Sequence, residues 1–310
     1  MNALKKKKIY FIIANNWTGT AYGRGLMVHN YLIEKGYDTY CLEGYDHDWS
    51  RIRDSIVVFV KHHKPAVAKL LRSQNNKIVL DVLDGYTTVN VGAAKSPDAR
   101  ENRGGFIKDY FDSYILSTNR LLEDTKDLYL PSVLPYVIYE KFDPKIAKYK
   151  KLFDTKMKPH DKLKIGYIGA KENIMHYEDP FVRENIQPVF DFNSQPKMAP
   201  LYNCHYSIRI EGTEDFLYKP TSKITTAAAV GANIIHTRDC GAIEIAGEDY
   251  PYYTDSDLQS VINTINYAKE TYGTKVWNEG LEIMSQVRDR LHIDRICGKD
   301  YIEYFGRLCD

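Results

Sequence analysis

Short apolar runs alternate along this chain with longer stretches whose apolar residues recur at helical spacing. The first run covers Ile9 to Ala14, and a helical pattern from Leu26 to Lys35 follows it and ends at Gly36. Further strand-like runs of the first half are Thr39 to Leu42, Ser55 to Val60, Lys77 to Leu83, Phe111 to Leu116 and Tyr136 to Ile138. Strands that alternate with helices are typical of βαβ units. The pattern therefore predicts an α/β fold with a parallel sheet.

The same pattern starts again in the second half. The lysine-rich stretch 141–162 carries no strand pattern and is predicted to be a linker, after which Lys164 opens a new strand. Later elements are strands from Tyr206 to Ile210 and Ala232 to His236, a helix from Lys223 to Val230, and a helical tail from Leu258. We therefore predict two Rossmann-like lobes, 1–158 and 159–310, with a central cleft. Ligands of such sheets bind at the carboxyl ends of the strands.

Length and composition agree with a globular chain of two domains. The 310 residues suit two domains of about 150. No apolar run approaches the roughly 18 residues that a membrane span requires. Lys5 to Lys8 and the run that follows resemble a signal peptide, but that run is too short for one. The five scattered cysteines favour reduced thiols over a disulfide framework, so we expect a cytoplasmic protein.

Charge is divided unevenly between the predicted halves. Residues 1–158 hold 26 Lys and Arg against 18 Asp and Glu, whereas the remainder holds 16 against 23. An excess of positive charge in the first half points to an anionic partner, either nucleic acid or an anionic membrane surface. The alternative is that the two halves attract each other.

The stretch 219–235, KPTSKITTAAAVGANII, combines a proline-broken loop, a helix of small residues and a strand. The free N–H groups at the start of this helix, the hydroxyls of Thr221 and Ser222 and the ammonium of Lys223 are suited to hold a diphosphate. An ordinary helix with Thr or Ser caps explains the pattern equally well. Near the N-terminus, Gly19 to Gly25 is predicted to be a glycine-bearing turn, where Gly19 and Gly23 would let the backbone approach a sugar or phosphate.

This stretch resembles the motif P-x-K-L-x-E-Y-x-A-x-G-x-P-V-I of the retaining, GT4-like or glycosyl transferases group 1, family. Lys223, Ala229 and Gly231 fall on its Lys, Ala and Gly. Four other segments resemble the family in the same order: 18–42, 112–125, 135–144 and 241–253. The resemblance covers most of the chain. It implies the two-lobed GT-B fold and transfer of a sugar, with retention, from a nucleotide-sugar donor to an acceptor hydroxyl. A UDP-sugar is the expected donor, and no further cofactor is implied.

The chain departs from the family at two donor positions. The ribose-binding Glu of the family falls on Thr226, and the Arg of its phosphate clamp is missing from Gly169-Ala170-Lys171. Lys171 and Arg209 are candidates to contact the diphosphate instead. Nearby carboxylates are candidates to hold the sugar hydroxyls: Glu211, Glu214 and Asp215.

Carboxylates at the end of a buried strand are the catalytic candidates. Asp81 and Asp84 end the strand KIVLDVLDGY, where either would orient the acceptor hydroxyl, and Glu211 is the third candidate. Asp residues that cap a turn are the alternative explanation. No D-x-D motif stands in a strand-and-loop context, so the sequence does not require a catalytic metal. His62 and His63 are adjacent and point to opposite faces of a strand, which favours a basic surface over a metal pair.

Cationic residues of the first half indicate the acceptor. The candidates for acceptor binding are Arg51, Lys61, Lys64, Arg72 and Arg103. Such density suits a phosphate backbone. Two acceptors match: a hydroxymethylated base in phage DNA, which places the enzyme in the host cytoplasm, or a glycan or lipid at a membrane surface. The membrane alternative predicts an amphipathic helix with Trp, Phe or Leu. The sequence shows no convincing one, so DNA is favoured. A non-catalytic two-lobed sugar- or nucleotide-binding protein is the further alternative.

Overall fold

A computed structural model describes residues 3–13, 19–83, 110–126, 134–156 and 161–309. The chain divides into two compact units. The first comprises Met1–Glu140, Tyr218–Pro220 and Asp294–Asp310, and the second comprises Lys141–Leu217 and Thr221–Ile293. No helix of the described ranges is long and apolar enough to cross a membrane.

The first unit is built on a six-stranded parallel sheet. Its strands, in chain order, are β1 (Ile9–Ile13), β2 (Thr39–Glu43), β3 (Ile56–Val60), β4 (Lys77–Val82), β5 (Ser113–Leu116) and β6 (Leu134–Val137), with spatial order β2-β1-β3-β4-β5-β6. The helices are α1 (Met27–Glu34), α2 (Pro65–Ser73) and α3 (Asn119–Thr125). Every residue of β3 is buried, as expected for a central strand covered on both faces. The predicted strands and parallel pairing of this half are therefore confirmed.

The second unit contains a five-stranded parallel sheet. Its strands are β7 (Ile165–Ile168), β8 (Ile186–Val189), β9 (Cys204–Ser207), β10 (Asn233–Thr237) and β11 (Tyr253–Thr254), in the order β11-β10-β9-β7-β8. The helices that begin in this part of the chain are α4 (Pro144–Lys156), α5 (Pro180–Asn185), α6 (Gln195–Met198), α7 (Glu214–Tyr218), α8 (Ser222–Val230), α9 (Cys240–Ala246), α10 (Leu258–Thr271), α11 (Lys275–Arg290) and α12 (Ile293–Arg295). Gly231 ends α8 in a left-handed conformation (φ 66°), which is common for glycine at the end of a helix.

The C-terminal segment is helical, as predicted, but it returns to the first unit. It contains a π-helix (Ile296–Tyr301) and α13 (Ile302–Arg307), and both lie within the range Asp294–Asp310 that groups with the first sheet. Phe305 of α13 packs edge-on against Phe11 of β1, with ring centroids 6.1 Å apart. Apolar contacts of this kind explain why a segment so distant in sequence covers the first sheet.

The glycine-bearing turn predicted at Gly19 to Gly25 is wrong, because this segment is helical. A π-helix spans Ala21–Leu26 and runs directly into α1. A Cβ atom on Gly25 would lie 2.3 Å from Cγ2 of Ile13, so this glycine permits close packing of a helix on β1. Gly25 therefore allows the backbone of this helix to approach the Ile13 side chain closely, and it does not form a turn.

The predicted linker 141–162 contains a helix. α4 lies within it and belongs to the second unit, since Phe142 and Ile146 join a buried apolar cluster with Ala229 and Val230. The units consequently divide after Glu140 rather than after residue 158. The two apolar anchors in a lysine-rich stretch are the physical reason for the difference.

Candidate active site

The ammonium group of Lys223 lies beyond the carboxyl end of β7. It is 4.0 Å from the centroid of the Tyr167 ring, while the Tyr167 hydroxyl donates to the carbonyl of Ala170 at 2.7 Å. A Cβ atom on Gly169 would lie 3.2 Å from Nζ of Lys223, so the glycine leaves room for the lysine side chain. These contacts place a cation at the edge of the second sheet where parallel α/β sheets bind ligands.

The start of α8 lies beside this cation. Thr221 precedes the helix and is buried, but its side chain makes no capping hydrogen bond, in contrast to the alternative in which Thr or Ser only caps the helix. Thr226, like Thr225, donates its hydroxyl to the carbonyl of Ser222 at 2.8 Å. The first N–H groups of a helix have no intrahelical acceptor. An anion is the natural ligand for such a terminus when a lysine stands in its first turn.

Arg209 follows β9 and is held by a buried carboxylate. Its Nη1 donates to Oδ2 of Asp239 at 3.0 Å, and its backbone N–H donates to the Thr237 hydroxyl at 3.0 Å. Asp239 is fully buried and also caps α9, since its Oδ1 accepts from the N–H of Ala242 at 2.8 Å. The guanidinium is thereby fixed in orientation at the carboxyl end of the sheet.

His236 completes this polar group at the end of β10. Burial lowers its pKa to about 4; the charge of Asp239 opposes this shift, and the charges of Arg209 and Lys223 add to it. Nδ1 lies 2.7 Å from the carbonyl oxygen of Thr237, and because a carbonyl only accepts, Nδ1 carries the proton. Nε2 is buried and makes no hydrogen bond to any described residue. His236 and Asp239 were not among the residues predicted from the sequence, although their positions at the end of a strand and just after it were a usable signal.

The remaining donor candidates lie on loops of the same edge. Lys171 is exposed in the short turn that follows β7, and Glu211 is exposed after β9, where its carboxylate accepts from the N–H of Ser256 at 3.4 Å. Glu214 and Asp215 form the first turn of α7. The donor candidates of the second unit thus follow β7 or β9 or lie at or near the start of α8. Among the described residues, no group of three or more His, Cys, Asp and Glu is arranged to hold a metal.

Asp81 is fully buried in the first unit, in a bidentate ion pair with Arg24. Nε and Nη2 of Arg24 donate to its two oxygens at 2.9 and 2.8 Å, and Nη1 donates to the carbonyl of Ile138 at 2.8 Å. Burial by itself would lower the pKa of Arg24, but the charge of Asp81 raises it above its ordinary value. Arg24 was not among the residues predicted from the sequence, because a charged residue between two glycines carries no burial signal. Asp84 lies outside the described residues.

The two glycine candidates of the first unit lie on one helical segment. Gly19 is exposed near its beginning. Gly23 lies next to Glu140, whose Oε1 would be 3.0 Å from a Cβ atom at this position. Gly23 therefore neighbours a buried carboxylate in this structure.

The acceptor candidates do not form one cluster. Lys61 directly follows β3 and has a left-handed backbone (φ 64°), and Lys64 precedes α2, so these two lie at the carboxyl edge of the first sheet. Arg72 lies at the other end of α2, about 12 Å away along the helix axis, and is 3.7 Å from Asp112. Arg51 pairs with Asp48 at 2.8 Å. Arg103 lies outside the described residues.

The charge division also changes when it is counted by structural unit. The first unit holds 23 Lys and Arg against 20 Asp and Glu, whereas residues 141–158 alone hold 7 against 2. Most of the positive excess of the first half therefore belongs to the segment that contains α4, which packs with the second unit.

The chain matches no protein-family model and no curated protein in sequence. It is similar in structure to a glycosyltransferase from Rickettsia africae, with a TM-score of 0.67 and 11% identity over 98% of each chain. It is also similar to Anabaena HepE in complex with UDP, with a TM-score of 0.63 and 10% identity over 97% of this chain and 100% of the other. An alpha-glucosyltransferase in complex with UDP-glucose and DNA gives a TM-score of 0.65 and 10% identity over 96% and 98%. At these identities the likeness defines the fold. The chain therefore has the GT-B fold of these glycosyltransferases.

Proposed function

We propose that this chain is a retaining glycosyltransferase that uses a UDP-sugar. The observation that carries the proposal is the position of Lys223 beside the start of α8, with Arg209 held on the same edge of the second sheet. Two structurally similar proteins, HepE and the alpha-glucosyltransferase, are described with UDP or UDP-glucose bound. Fold similarity alone does not establish an activity, so the proposal rests on the residues of the site.

The proposed chemistry uses these cations on the leaving group. Lys223, Arg209 and the first N–H groups of α8 stabilise the negative charge that develops on the departing diphosphate. Lys171 is a further cation for this group, and Thr221, Ser222 and Thr226 contribute hydroxyls. Glu211 and Glu214 hold the sugar hydroxyls, and the diphosphate helps to deprotonate the acceptor. The proposal requires no further cofactor, because these groups of the protein stabilise the leaving diphosphate.

Thermal unfolding in the presence of UDP-, GDP- and ADP-sugars tests the donor assignment. A ligand at about 100 times its Kd stabilises a protein by about 2.7 kcal/mol, which raises Tm by several degrees. We expect the UDP-sugar to give the largest increase. No increase with any nucleotide sugar would contradict the proposal and favour a protein without this activity.

For the acceptor, we propose a hydroxymethylated base in DNA, bound by the first unit, in a cytoplasmic enzyme. The support is the pair Lys61 and Lys64 at the carboxyl edge of the first sheet. In addition, the alpha-glucosyltransferase that resembles this chain is described with DNA containing an HMU base. An enzyme that modifies a base must first flip it out of the duplex. Mismatched sites should therefore react faster than paired ones.

Mass spectrometry of hydroxymethylated DNA after incubation with UDP-glucose tests this acceptor. If about five phosphates are neutralised, the logarithm of the binding constant should fall with the logarithm of salt at a slope near −4 to −5. Unmodified DNA, together with binding that ignores salt, would contradict the DNA assignment.

A glycan or lipid at an anionic membrane surface is the second candidate acceptor. The basic helix α4 favours it, because Tyr149 and Leu152 are exposed among lysines there. The sequence pattern did not predict this amphipathic helix. Transfer of labelled sugar to a lipid extract, with none to DNA, would support this candidate over the first.

A further inference from the structure

Helix α4 is anchored by one side and exposed on the other. Ile146 packs in the apolar cluster of the second unit with Ala229 and Val230. The outer side of the helix exposes Lys145, Lys148, Tyr149, Lys151 and Leu152. The helix is thus a fixed part of the second unit that presents a defined set of side chains to solvent.

The apolar side chains lie among the lysines. At 3.6 residues per turn, Leu152 falls about 20° from Lys145 and about 40° from Lys148 around the helix axis, and Tyr149 borders Lys145 on the other side. Leu152 is 44% exposed and Tyr149 is 36% exposed. Leu152 therefore lies between Lys145 and Lys148 on the outer side, and Tyr149 lies at its border.

Little negative charge offsets these lysines. Residues 141–158 contain seven lysines and two aspartates. One of the aspartates, Asp154, pairs with Lys150, which lies on the flank of the helix rather than on its outer side. The segment consequently has a clear excess of positive over negative charge.

We propose that the outer side of α4 docks on an anionic lipid bilayer. The lysines would contact headgroup phosphates, and Leu152 and Tyr149 would enter the boundary between headgroups and acyl chains. A DNA backbone offers phosphates but no apolar phase, so an exposed leucine among the lysines gains nothing there. The proposal does not depend on the donor site.

Binding of the full chain to lipid vesicles tests this surface. Vesicles of phosphatidylcholine with about one third phosphatidylserine should bind the protein, and pure phosphatidylcholine vesicles should not. Each lysine near such a surface contributes about fivefold, so the triple variant K145Q/K148Q/K151Q should bind about 100-fold more weakly. The triple variant K164Q/K269Q/K275Q, which removes the same charge elsewhere on the second unit, is the control and should bind like the natural protein.

A second comparison isolates the apolar contribution. Leu152→Gln should weaken vesicle binding about fivefold, because part of a leucine side chain no longer enters the bilayer. Leu70, on α2 of the first unit, is 43% exposed against 44% for Leu152, which makes Leu70→Gln a matched control. That control should leave vesicle binding unchanged.

Three results would overturn the proposal. They are equal binding to neutral vesicles, an equal loss in the control triple variant, and a loss of binding to duplex DNA in K145Q/K148Q/K151Q with vesicle binding unchanged. The last result would assign α4 to DNA. UDP binding, measured in parallel, should be the same in all variants. A natural protein that fails to bind UDP would count against the glycosyltransferase proposal alone.

Discussion

At the scale of single residues, polar side chains that the structure buries fall into two groups. Arg209, Asp239 and His236 lie together at the carboxyl edge of the second sheet, whereas Arg24 and Asp81 form an ion pair inside the first unit. The first group holds the Arg209 guanidinium in an ion pair at the edge of the sheet where Lys223 and the start of α8 also lie. The second satisfies its own charges internally. Substitutions in the two groups should therefore have different consequences.

Lys223→Ala should weaken UDP binding and leave the fold intact. A hydrogen bond to a charged phosphate contributes about 1.5–3 kcal/mol, which corresponds to a loss of about tenfold to 100-fold in affinity. Titration calorimetry with UDP measures the effect. Lys269→Ala, an exposed lysine of the same unit, is the control. Unchanged affinity in the Lys223 variant would remove the diphosphate from this site.

Asp81→Asn should destabilise the protein strongly, because it leaves the buried charge of Arg24 without its partner. Breaking such a pair costs about 3–5 kcal/mol in free energy of unfolding, measured by urea titration. The exposed pair of Lys275 and Glu279 is the control, since Glu279→Gln should cost less than about 0.5 kcal/mol.

Activity of a double variant then tests the predicted catalytic role of Asp81. Arg24→Met with Asp81→Leu removes both charges and should recover much of the lost stability. If Asp81 orients the acceptor, this variant folds but does not transfer sugar. A folded and fully active double variant would confine Asp81 to a structural role.

Acid should destabilise the second unit through His205. Burial lowers the pKa of His205 to about 4, and a hydrogen bond to the carbonyl of Ala199 partly opposes the shift. The folded state favours neutral His205, whereas the unfolded chain takes up a proton at the ordinary histidine pKa of about 6.5. The contribution of neutral His205 to the free energy of unfolding is therefore present above about pH 6.5 and is lost as the pH falls towards 4. His205→Gln should reduce the drop in free energy of unfolding between pH 7 and pH 5 by about 2 kcal/mol.

Urea titrations at several pH values measure this dependence. The same substitution at the exposed His47 is the control and should leave the drop unchanged. A drop of the same size in the His205 variant would mean that other groups govern acid stability.

At the scale of elements, close packing explains where the sequence patterns failed. The segment before α1 is helical because glycine lets it lie directly against β1, and α4 is a helix of the second unit because Phe142 and Ile146 anchor it. Neither cause is visible as a periodic pattern, since each depends on a residue from another element. The stability of segments that pack this closely on another element should fall when a single carbon atom is added at the contact.

Gly25→Ala should destabilise the first unit, because its Cβ would lie 2.3 Å from Cγ2 of Ile13. Overpacking of this kind costs about 1–3 kcal/mol. Gly306 in α13 has no atom within 4 Å of its Cβ position, so Gly306→Ala should instead be neutral or stabilise by up to about 1 kcal/mol. Thermal unfolding of both variants gives the comparison, and an equal effect would contradict the packing explanation.

At the scale of the whole molecule, two units with separate sheets agree with the proposal that one unit binds the acceptor and the other binds the donor. The donor candidates that the structure gathers lie in the second unit, and the lysines at the carboxyl edge of β3 lie in the first. Positive charge follows a different division, since α4 carries much of it on the second unit. The lysines proposed to contact the acceptor and the lysines proposed to dock on a bilayer therefore belong to different units.

Hydrogen exchange should show protection by UDP mainly within residues 165–250. Backbone amides at the start of α8 and in the loops after β7 and β9 would contact or lie beside the diphosphate, and ordering of these loops slows their exchange. Mass spectrometry of peptides with and without UDP measures the protection. The Lys223→Ala variant should lose it, and protection confined to the first unit would reverse the assignment of the lobes.

The sequence by itself determined the six strands of the first sheet and the parallel α/β class, and it predicted the region that we propose for the donor, but it did not predict β8 or β11. Apolar runs such as Ile56 to Val60 are local patterns, and α8 combines a lysine in its first turn with a glycine cap within a few residues. These features depend on residues close in the chain, so a linear pattern contains them. The strand–helix pattern that starts again at Lys164 predicted the two lobes, and the family resemblance implied the GT-B fold.

Only the tertiary structure decided which charged residues act together. Arg24 and Asp81 are 57 residues apart, and Arg209 and Asp239 are 30 apart, yet each pair is joined by hydrogen bonds in a buried site. Residues close in the sequence can in turn be apart in space, since Lys64 and Arg72 lie at opposite ends of α2. The energy of a charge depends on its partners and on its distance from water, and both are set by contacts between elements. A linear sequence specifies those contacts only through folding.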